Sequence, residues 1–294
     1  KDKTFLLDWM QVYMEAQESA GKKDGSQIKI AMRILKDYAG EMVTLDQIDG
    51  DFCRGYITYL LTEYHPKGKD ISNYTLHNYY RALNGALNSA VRKKKMKANP
   101  FNELEKSEKI RKPESMRSYM TIEEVQALID TPMPHEEYEI VKCAYLFSCF
   151  CGLRISDIIK LKWSDVFVDR GQYRLAVSMK KTKEPIYLPL SPEALKWMPE
   201  RGGKSSEDNV FDLPSANTIR MQLKPWAKAA GISKRFSYHT SRHTFATMML
   251  TLGADLYTVS KLLGHADVKM TQVYAKIINK KKDEAVNLVN GLFH

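Results

Sequence analysis

Residues 103–118 are rich in Lys, Glu, Ser and Arg, contain Pro113 and have no apolar period, yet the sequence on both sides of them is patterned for burial. A stretch with no apolar face cannot sit inside a core, so it reads as a linker between two separate cores. The length agrees, because the chain has 294 residues and single cores usually stop growing at roughly 250. Thr121-Ile-Glu-Glu124 follows at once and forms a capping box, in which the hydroxyl and the carboxylate satisfy the first free amides of a new helix. The predicted division is a helical domain over residues 1–104, a linker over 105–118 and a second domain over 119–294.

Before the linker, apolar residues recur at three- and four-residue spacing over 5–14, 28–35 and 52–61, with breaks at Gly40 and at 66–69. A fourth helix is predicted over 72–95, with Leu76, Tyr80, Leu83, Leu87 and Val91 on one face. After the linker, residues 140–150 read as a buried helix, and Cys151-Gly-Leu-Arg154 turns into another that runs to about Leu161. The period then changes to two over 173–179 and 186–190, which predicts a β-hairpin with Lys180, Lys181 and Lys183 at its tip. Helical sequence resumes after Ser191, and residues 283–292 place Ala285, Leu288, Val289 and Leu292 on one helical face. The fold class is mainly α, with a small β-sheet or hairpin in the second domain.

No apolar run reaches the length of about 20 residues that crosses a bilayer, and nothing at the amino end reads as a signal peptide. The sequence starts at Lys1 rather than Met, which leaves room for an upstream segment. Cys53, Cys143, Cys149 and Cys151 make no Cys-x-x-Cys pair, and three of them lie in an apolar run. They are expected as core thiols of a cytoplasmic protein, not as a metal or redox site.

A net charge of +10 suits a polyanionic partner, and its distribution says more. Residues 213–254 hold no Asp or Glu in a chain with 35 acidic residues, while Arg220, Lys224, Lys228, Lys234, Arg235 and Arg242 all fall there. A phosphate backbone would be repelled by a carboxylate in that window; a solvated basic face is the plainer alternative. Arg92, Lys93, Lys94, Lys95 and Lys97 fill five of six positions at the end of the fourth helix. The helix dipole rewards such cations by only about 0.3–1 kcal/mol, so backbone phosphates are the expected target. Arg81, Lys180, Lys183, Lys234 and Arg235 are expected to contact DNA as well.

His239-Thr-Ser-Arg242 puts an imidazole and a guanidinium on one helical face, a fork for two phosphate oxygens beside a group that moves protons near neutral pH. Alone, this pattern and Leu263-Gly-His265 are weak. In order, however, Cys151-Gly-Leu-Arg154-Ile-Ser-Asp157, the turn lysines, His239-Thr-Ser-Arg242-His-Thr-Phe-Ala-Thr, Leu262-Leu-Gly-His265-Ala-Asp and Thr271-Gln-Val-Tyr274 resemble the catalytic boxes of the tyrosine recombinase (phage integrase) family. The resemblance covers about residues 121–280, and the helical first domain resembles that family's SAM-like core-binding domain in organisation.

The resemblance implies that Arg154 and Arg242 grip the scissile phosphate, that His239 shares a proton there and that His265 hydrogen-bonds it. Tyr274 would attack phosphorus, leaving a 3′-phosphotyrosine and a 5′ hydroxyl that can later reseal the strand without ATP. Of the three turn lysines, Lys181 is preferred as the acid for the departing 5′ oxygen, by its distance from Leu188-Pro-Leu190 and its Lys-Thr pair. Asp157 and Tyr238 are expected as structural residues, and Tyr257 lies too far before His265 to be the nucleophile.

No cofactor and no metal are implied. Gly203-Lys-Ser205 fails as a phosphate loop because Met198 stands where its first glycine belongs, and Arg242 between His239 and His243 would repel a cation. The implied partners are two duplex DNA sites, clamped between the halves of each protomer, within a homotetramer whose protomers exchange their tail helices. A monomer is expected off DNA, with a DNA-bending accessory protein as a further partner and no membrane. A type IB topoisomerase and a catalytically silent DNA-binding regulator are the alternatives.

Overall fold

The computed structural model describes residues 3–113, 117–178, 185–265 and 267–274. It divides into two compact units, Lys1–Ser115 and Met116–His294.

The first unit holds α1 (Leu6–Ser19), α2 (Gly25–Ala39), α3 (Gly50–Thr62) and α4 (Asn73–Arg92). Asp49 caps α3 by accepting from the Phe52 amide at 2.8 Å, and Ser72 caps α4 through the Thr75 amide at 3.3 Å. Their apolar faces meet in one core, where Met10, Ile34, Tyr56, Leu83 and Leu87 are fully buried. Each such side chain contributes about 1.5–3 kcal/mol on leaving water. The Trp9 indole, buried in the same core, donates to the Ala86 carbonyl at 2.8 Å and so fixes α1 on α4.

The fourth helix ends at Arg92, three residues before its predicted end. Lys94 adopts a left-handed φ of 57°, and the Lys95 amide returns to the Ala90 carbonyl at 2.9 Å, closing the helix by satisfying its last acceptors. Beyond it, Leu104 and Ile110 are buried in the first core, and Glu108 accepts from Arg54 at 2.9 Å. Part of the stretch that reads as a linker therefore packs as the edge of this unit.

In the second unit, the Thr121–Glu124 capping box opens α5 (Ile122–Asp130). Buried α6 (Glu139–Cys151) ends at Gly152, whose φ is +77° and where a Cβ would stand 2.6 Å from the Phe245 ring. Only glycine suits both the backbone and the space. The following helix, α7, spans Ile155–Ile158 and gives way to tighter turn bonds before Leu161, so it is shorter than expected. The predicted pair of strands is part of a three-stranded antiparallel sheet, β1 (Val166–Asp169), β2 (Gln172–Ser178) and β3 (Pro185–Pro189), in the order β1-β2-β3. The extra strand joins β2 through Arg170-Gly171, both at positive φ, a two-residue turn that matches the twist of the strands.

Then come α8 (Pro192–Leu195), α9 (Ala216–Ala229), α10 (His239–Leu252) and α11 (Leu256–Leu262). α10 is buried almost all round from Thr240 to Met248 and packs on α6. It can carry hydroxyls into the core because each finds a carbonyl: Thr240 donates to Ser237, Ser241 to Tyr238 and Thr244 to Thr240, at 2.6, 2.7 and 2.8 Å. Buried Tyr238 donates to the Ala144 carbonyl at 2.7 Å, the structural role the sequence suggests. Among the described residues, no helix is long and apolar enough to cross a membrane.

Candidate active site

α10 is the frame of the site. His239 stands exposed in its first turn, and Arg242, one turn inward, is 3% exposed. The Arg242 guanidinium donates to the Gly152 carbonyl at 2.7 Å and to the Leu263 carbonyl at 2.5 Å. One side chain thereby ties the turn that carries Arg154 to the end of α11, two residues before His265. Two carbonyls leave part of the five-donor fork for another acceptor. Burial first, and then the positive charge of Arg154, press the Arg242 pKa down to about 9, against the pull of Tyr274, Asp157 and Cys151. A buried cation beside another cation is a place that favours an anion.

His265 shares a 2.7 Å hydrogen bond through Nδ1 with the buried Thr271 hydroxyl, on the segment that leads to Tyr274. The Tyr274 ring packs with Phe245, Leu250, Val259 and Leu263 and is 4% exposed. Its hydroxyl bonds to His243 Nδ1 and accepts from Arg117 Nη1 at 3.4 Å. Burial raises the phenol's pKa, while the hydrogen bond and charge of Arg117 and the charge of Arg242 oppose that rise.

The two imidazoles of α10 meet edge to face, with ring centres 4.6 Å apart. Desolvation, followed by the charges of Arg242, Arg117 and Arg154, lowers the pKa of His239. His243 falls to about 3 through burial, then His239, Arg117, Arg242 and His265. Both rings are therefore biased toward the neutral form, and the charges that bear on them are cationic, with Asp157 the one carboxylate that acts on Arg242.

Arg154, His239, Arg242, His265 and Tyr274 thus come together on the second unit, from four separate stretches of sequence. Arg117 and His243 join them, and reading the sequence did not assign either to the site. His243 had a signal, since it lies four residues after His239 and next to Arg242; Arg117 had none. Lys180, Lys181 and Lys183, and the apolar tail of residues 283–292, lie outside the described residues.

The residues expected to contact DNA are mostly exposed. Arg92, Lys93, Lys94, Lys95 and Lys97 crowd the end of α4, and Arg235 is open to solvent. Arg81 reaches Asp24 at 3.4 Å. Lys234 is engaged with Glu124 at 2.6 Å and with the Tyr119 carbonyl at 2.8 Å, so it also braces the start of the second unit. Cys149 and Cys151 are buried, with thiol pKa values pushed up by burial, that of Cys151 to about 12. Among the described residues no three His, Cys, Asp or Glu side chains form a group that could hold a metal ion.

Residues 118–281 match the profile of the phage integrase family, and residues 5–111 match that of the phage integrase SAM-like domain. A tyrosine recombinase of Pseudothermotoga lettingae is 29% identical over 242 residues, covering 74% of this chain and 82% of that protein. The tyrosine recombinase XerD of Halalkalibacterium halodurans is 34% identical over 169 residues, covering 54% of this chain and 56% of XerD. In fold, the Tn1549 transposon integrase in complex with circular intermediate DNA superposes with a TM-score of 0.72 at 17% identity, over 92% of this chain and 94% of that one. The XerH site-specific recombinase bound to a palindromic difH substrate gives 0.67 at 16%, over 96% and 95%. With both of its units matched, the chain belongs to the phage integrase family, the tyrosine recombinases, which are enzymes of DNA strand exchange.

Proposed function

We propose that this chain is a site-specific recombinase that cuts and rejoins DNA through a 3′-phosphotyrosine on Tyr274, without ATP or a metal ion. The observation that supports this reading is the meeting of three guanidiniums, three imidazoles and one buried phenol in one place, where cations outnumber the single neighbouring carboxylate, Asp157. Arg154 and Arg242 hold the non-bridging oxygens and stabilise the charge of the pentacoordinate transition state, the part a metal ion plays elsewhere. His239 and His265 hydrogen-bond the same phosphate. The phenol is a poor nucleophile at neutral pH, with an ordinary pKa near 10 raised by burial, and the neighbouring cations stabilise its phenolate. Lys181 supplies the proton for the departing 5′ oxygen.

In this reading residues 1–104 are the core-binding domain, 105–118 the linker and 119–294 the catalytic domain. Arg81, Arg92, Lys93, Lys94, Lys95 and Lys97 contact backbone phosphates from the first, and Lys180, Lys183, Lys234 and Arg235 from the second. The enzyme acts in the cytoplasm as a homotetramer on two duplex sites, is monomeric off DNA and works with a DNA-bending protein. The similar structures are of proteins bound to DNA, including lambda integrase as a dimer on a core site, and that association is carried over here.

The test is a selection from nicked duplexes with randomised cores, scoring DNA that becomes covalently linked to protein. An adduct with wild type and none with Tyr274→Phe is the expected result. Binding without any adduct on the selected duplex would leave a DNA-binding regulator, and relaxation of supercoils without two-site exchange would leave a topoisomerase.

A further inference from the structure

His243 and Arg117 have no part in the roles above, yet both hydrogen-bond the Tyr274 oxygen. His243 is 7% exposed on α10, and its ring centre lies 5.8 Å from that of Tyr274. The guanidinium carbon of Arg117 lies 5.8 Å from the centre of the Tyr274 ring. The segment bearing Arg117 is anchored to the site: the Met120 amide donates to the Thr244 hydroxyl on α10 at 2.9 Å, and Lys234 holds the Tyr119 carbonyl at 2.8 Å.

The hydrogen-bond directions are assigned from what each group can donate and accept. Arginine can only donate, so the phenol oxygen accepts from Arg117. The phenol has one hydrogen to give, and a neutral imidazole has one bare nitrogen. Nδ1 of His243 is assigned as the acceptor because this gives the buried phenol hydrogen a partner, and the ring hydrogen then lies on Nε2; that tautomer is inferred from the network. His239, one turn earlier, meets the His243 ring edge to face.

We propose that His243 is the proton acceptor that activates Tyr274, and that Arg117 is a positioning residue that holds the phenol oxygen against it. This rests on the proposed function, with Tyr274 as nucleophile. In the step, the phenol oxygen forms its bond to phosphorus, the bond from phosphorus to the 5′ oxygen breaks and the phenol proton passes to His243 Nδ1. The 5′ oxygen leaves with a proton from Lys181. On resealing, His243 returns its proton to the phenol.

The surroundings make this base weak until substrate arrives. Burial, with His239, Arg117, Arg242 and His265 around the ring, keeps His243 neutral and a poor acceptor. A phosphodiester held by Arg154 and Arg242 brings a negative charge that offsets those neighbours and strengthens the base where it is needed.

The experiment follows single-turnover adduct formation by the full chain on the selected nicked duplex, from pH 6 to 9.5, with DNA binding measured alongside. His243→Asn keeps a hydrogen-bond acceptor near the position of Nδ1 but cannot take a proton; His243→Ala removes both. Both are expected to bind DNA like wild type and to form adduct about 10²-fold more slowly at pH 7. Their rates should climb about tenfold per pH unit as hydroxide takes over the deprotonation. Added imidazole should partly restore the Ala variant. Arg117→Ala should be slower by about tenfold, with its pH profile moved upward, because the phenolate loses a neighbouring cation.

A 5′-bridging phosphorothiolate, whose thiolate leaves without a proton, should rescue Lys181→Ala but not His243→Asn. A His243→Asn enzyme with the wild-type rate and pH profile, or one cured by the phosphorothiolate, would overturn the proposal. Should either variant fail to bind DNA, the other decides the matter, and the imidazole rescue tests proton transfer independently. An adduct on Tyr274→Phe would remove the proposed function itself, a different result from failure at His243.

Discussion

The two units solve burial in opposite ways. Among the described residues, buried polar or charged side chains number two in the first unit, Thr44 and Asn99, and eleven in the second. Asn99 is satisfied locally, donating to Asn84 and Asn88 at 2.7 and 2.8 Å, and the rest of that core is apolar. The second unit takes Arg242, His243, Asp157 and Lys142 out of water and answers its two buried cations with backbone carbonyls: Lys142 donates to Ile129 and Thr131, as Arg242 does to Gly152 and Leu263. The first unit keeps its cations on the surface, where in the proposed function they meet a polyanion at little desolvation cost. The lesson is that binding charge can stay wet, whereas charge that must act on a reacting phosphate is set in a low-dielectric frame that magnifies it.

The contrast is sharpest at Arg242. Arg242→Ala should lower adduct formation by about 10²–10³-fold. It should also destabilise the second unit by about 1–3 kcal/mol per orphaned carbonyl. Adduct assays and thermal melting check the two effects, and an Ala variant of wild-type stability would show that the carbonyl bonds are idle.

Trp9→Ala is the matching experiment in the first unit. It should cost about 3–5 kcal/mol of stability and leave the adduct rate per DNA-bound molecule near wild type, as denaturant titration and single-turnover kinetics would reveal. A large loss of the chemical rate itself would erase the distinction between the units.

Acid separates the units less strongly. The folded pKa of His243, about 3, lies below its unfolded value near 6.5, so the unfolded chain binds the proton first as the pH falls. Its contribution is complete above about pH 6.5 and is lost progressively down to about 3, with a limiting slope of about 1.4 kcal/mol per pH unit. His77 is lowered by burial in the first unit too, without a group of buried cations around it. Stability measured between pH 4 and 7 should therefore fall less steeply for His243→Asn than for wild type.

The smallest effect on the fold is expected at the end of α4. Replacing Lys93, Lys94 and Lys95 by Ala should leave the melting temperature unchanged. It should weaken DNA binding alike on all sequences and reduce the salt slope by about 0.9 for each phosphate that is no longer neutralised. A sequence-dependent weakening would mean that these lysines read bases.

Much of this was legible in one dimension. The apolar periods of the first unit, the Thr121–Glu124 cap and the alternation of β2 and β3 are local patterns, and each of these elements formed near its expected place. β1 escaped because a four-residue strand with two exposed positions carries too little alternation to register. The end of α4 escaped because a left-handed Lys94 is a backbone choice that no lysine announces.

For the site, the chain alone determined which side chains were available and in what order, because motif order is a property of sequence. The tertiary structure decided what each one touches. Arg242 and Gly152 lie 90 residues apart, and Arg117 and Tyr274 lie 157 apart. Such pairs leave no periodicity behind, since their contact depends on how α6, α10 and the approach to α5 pack. Desolvation follows from the same packing, which is why the buried phenol and the two neutral imidazoles become visible only once the helices are assembled.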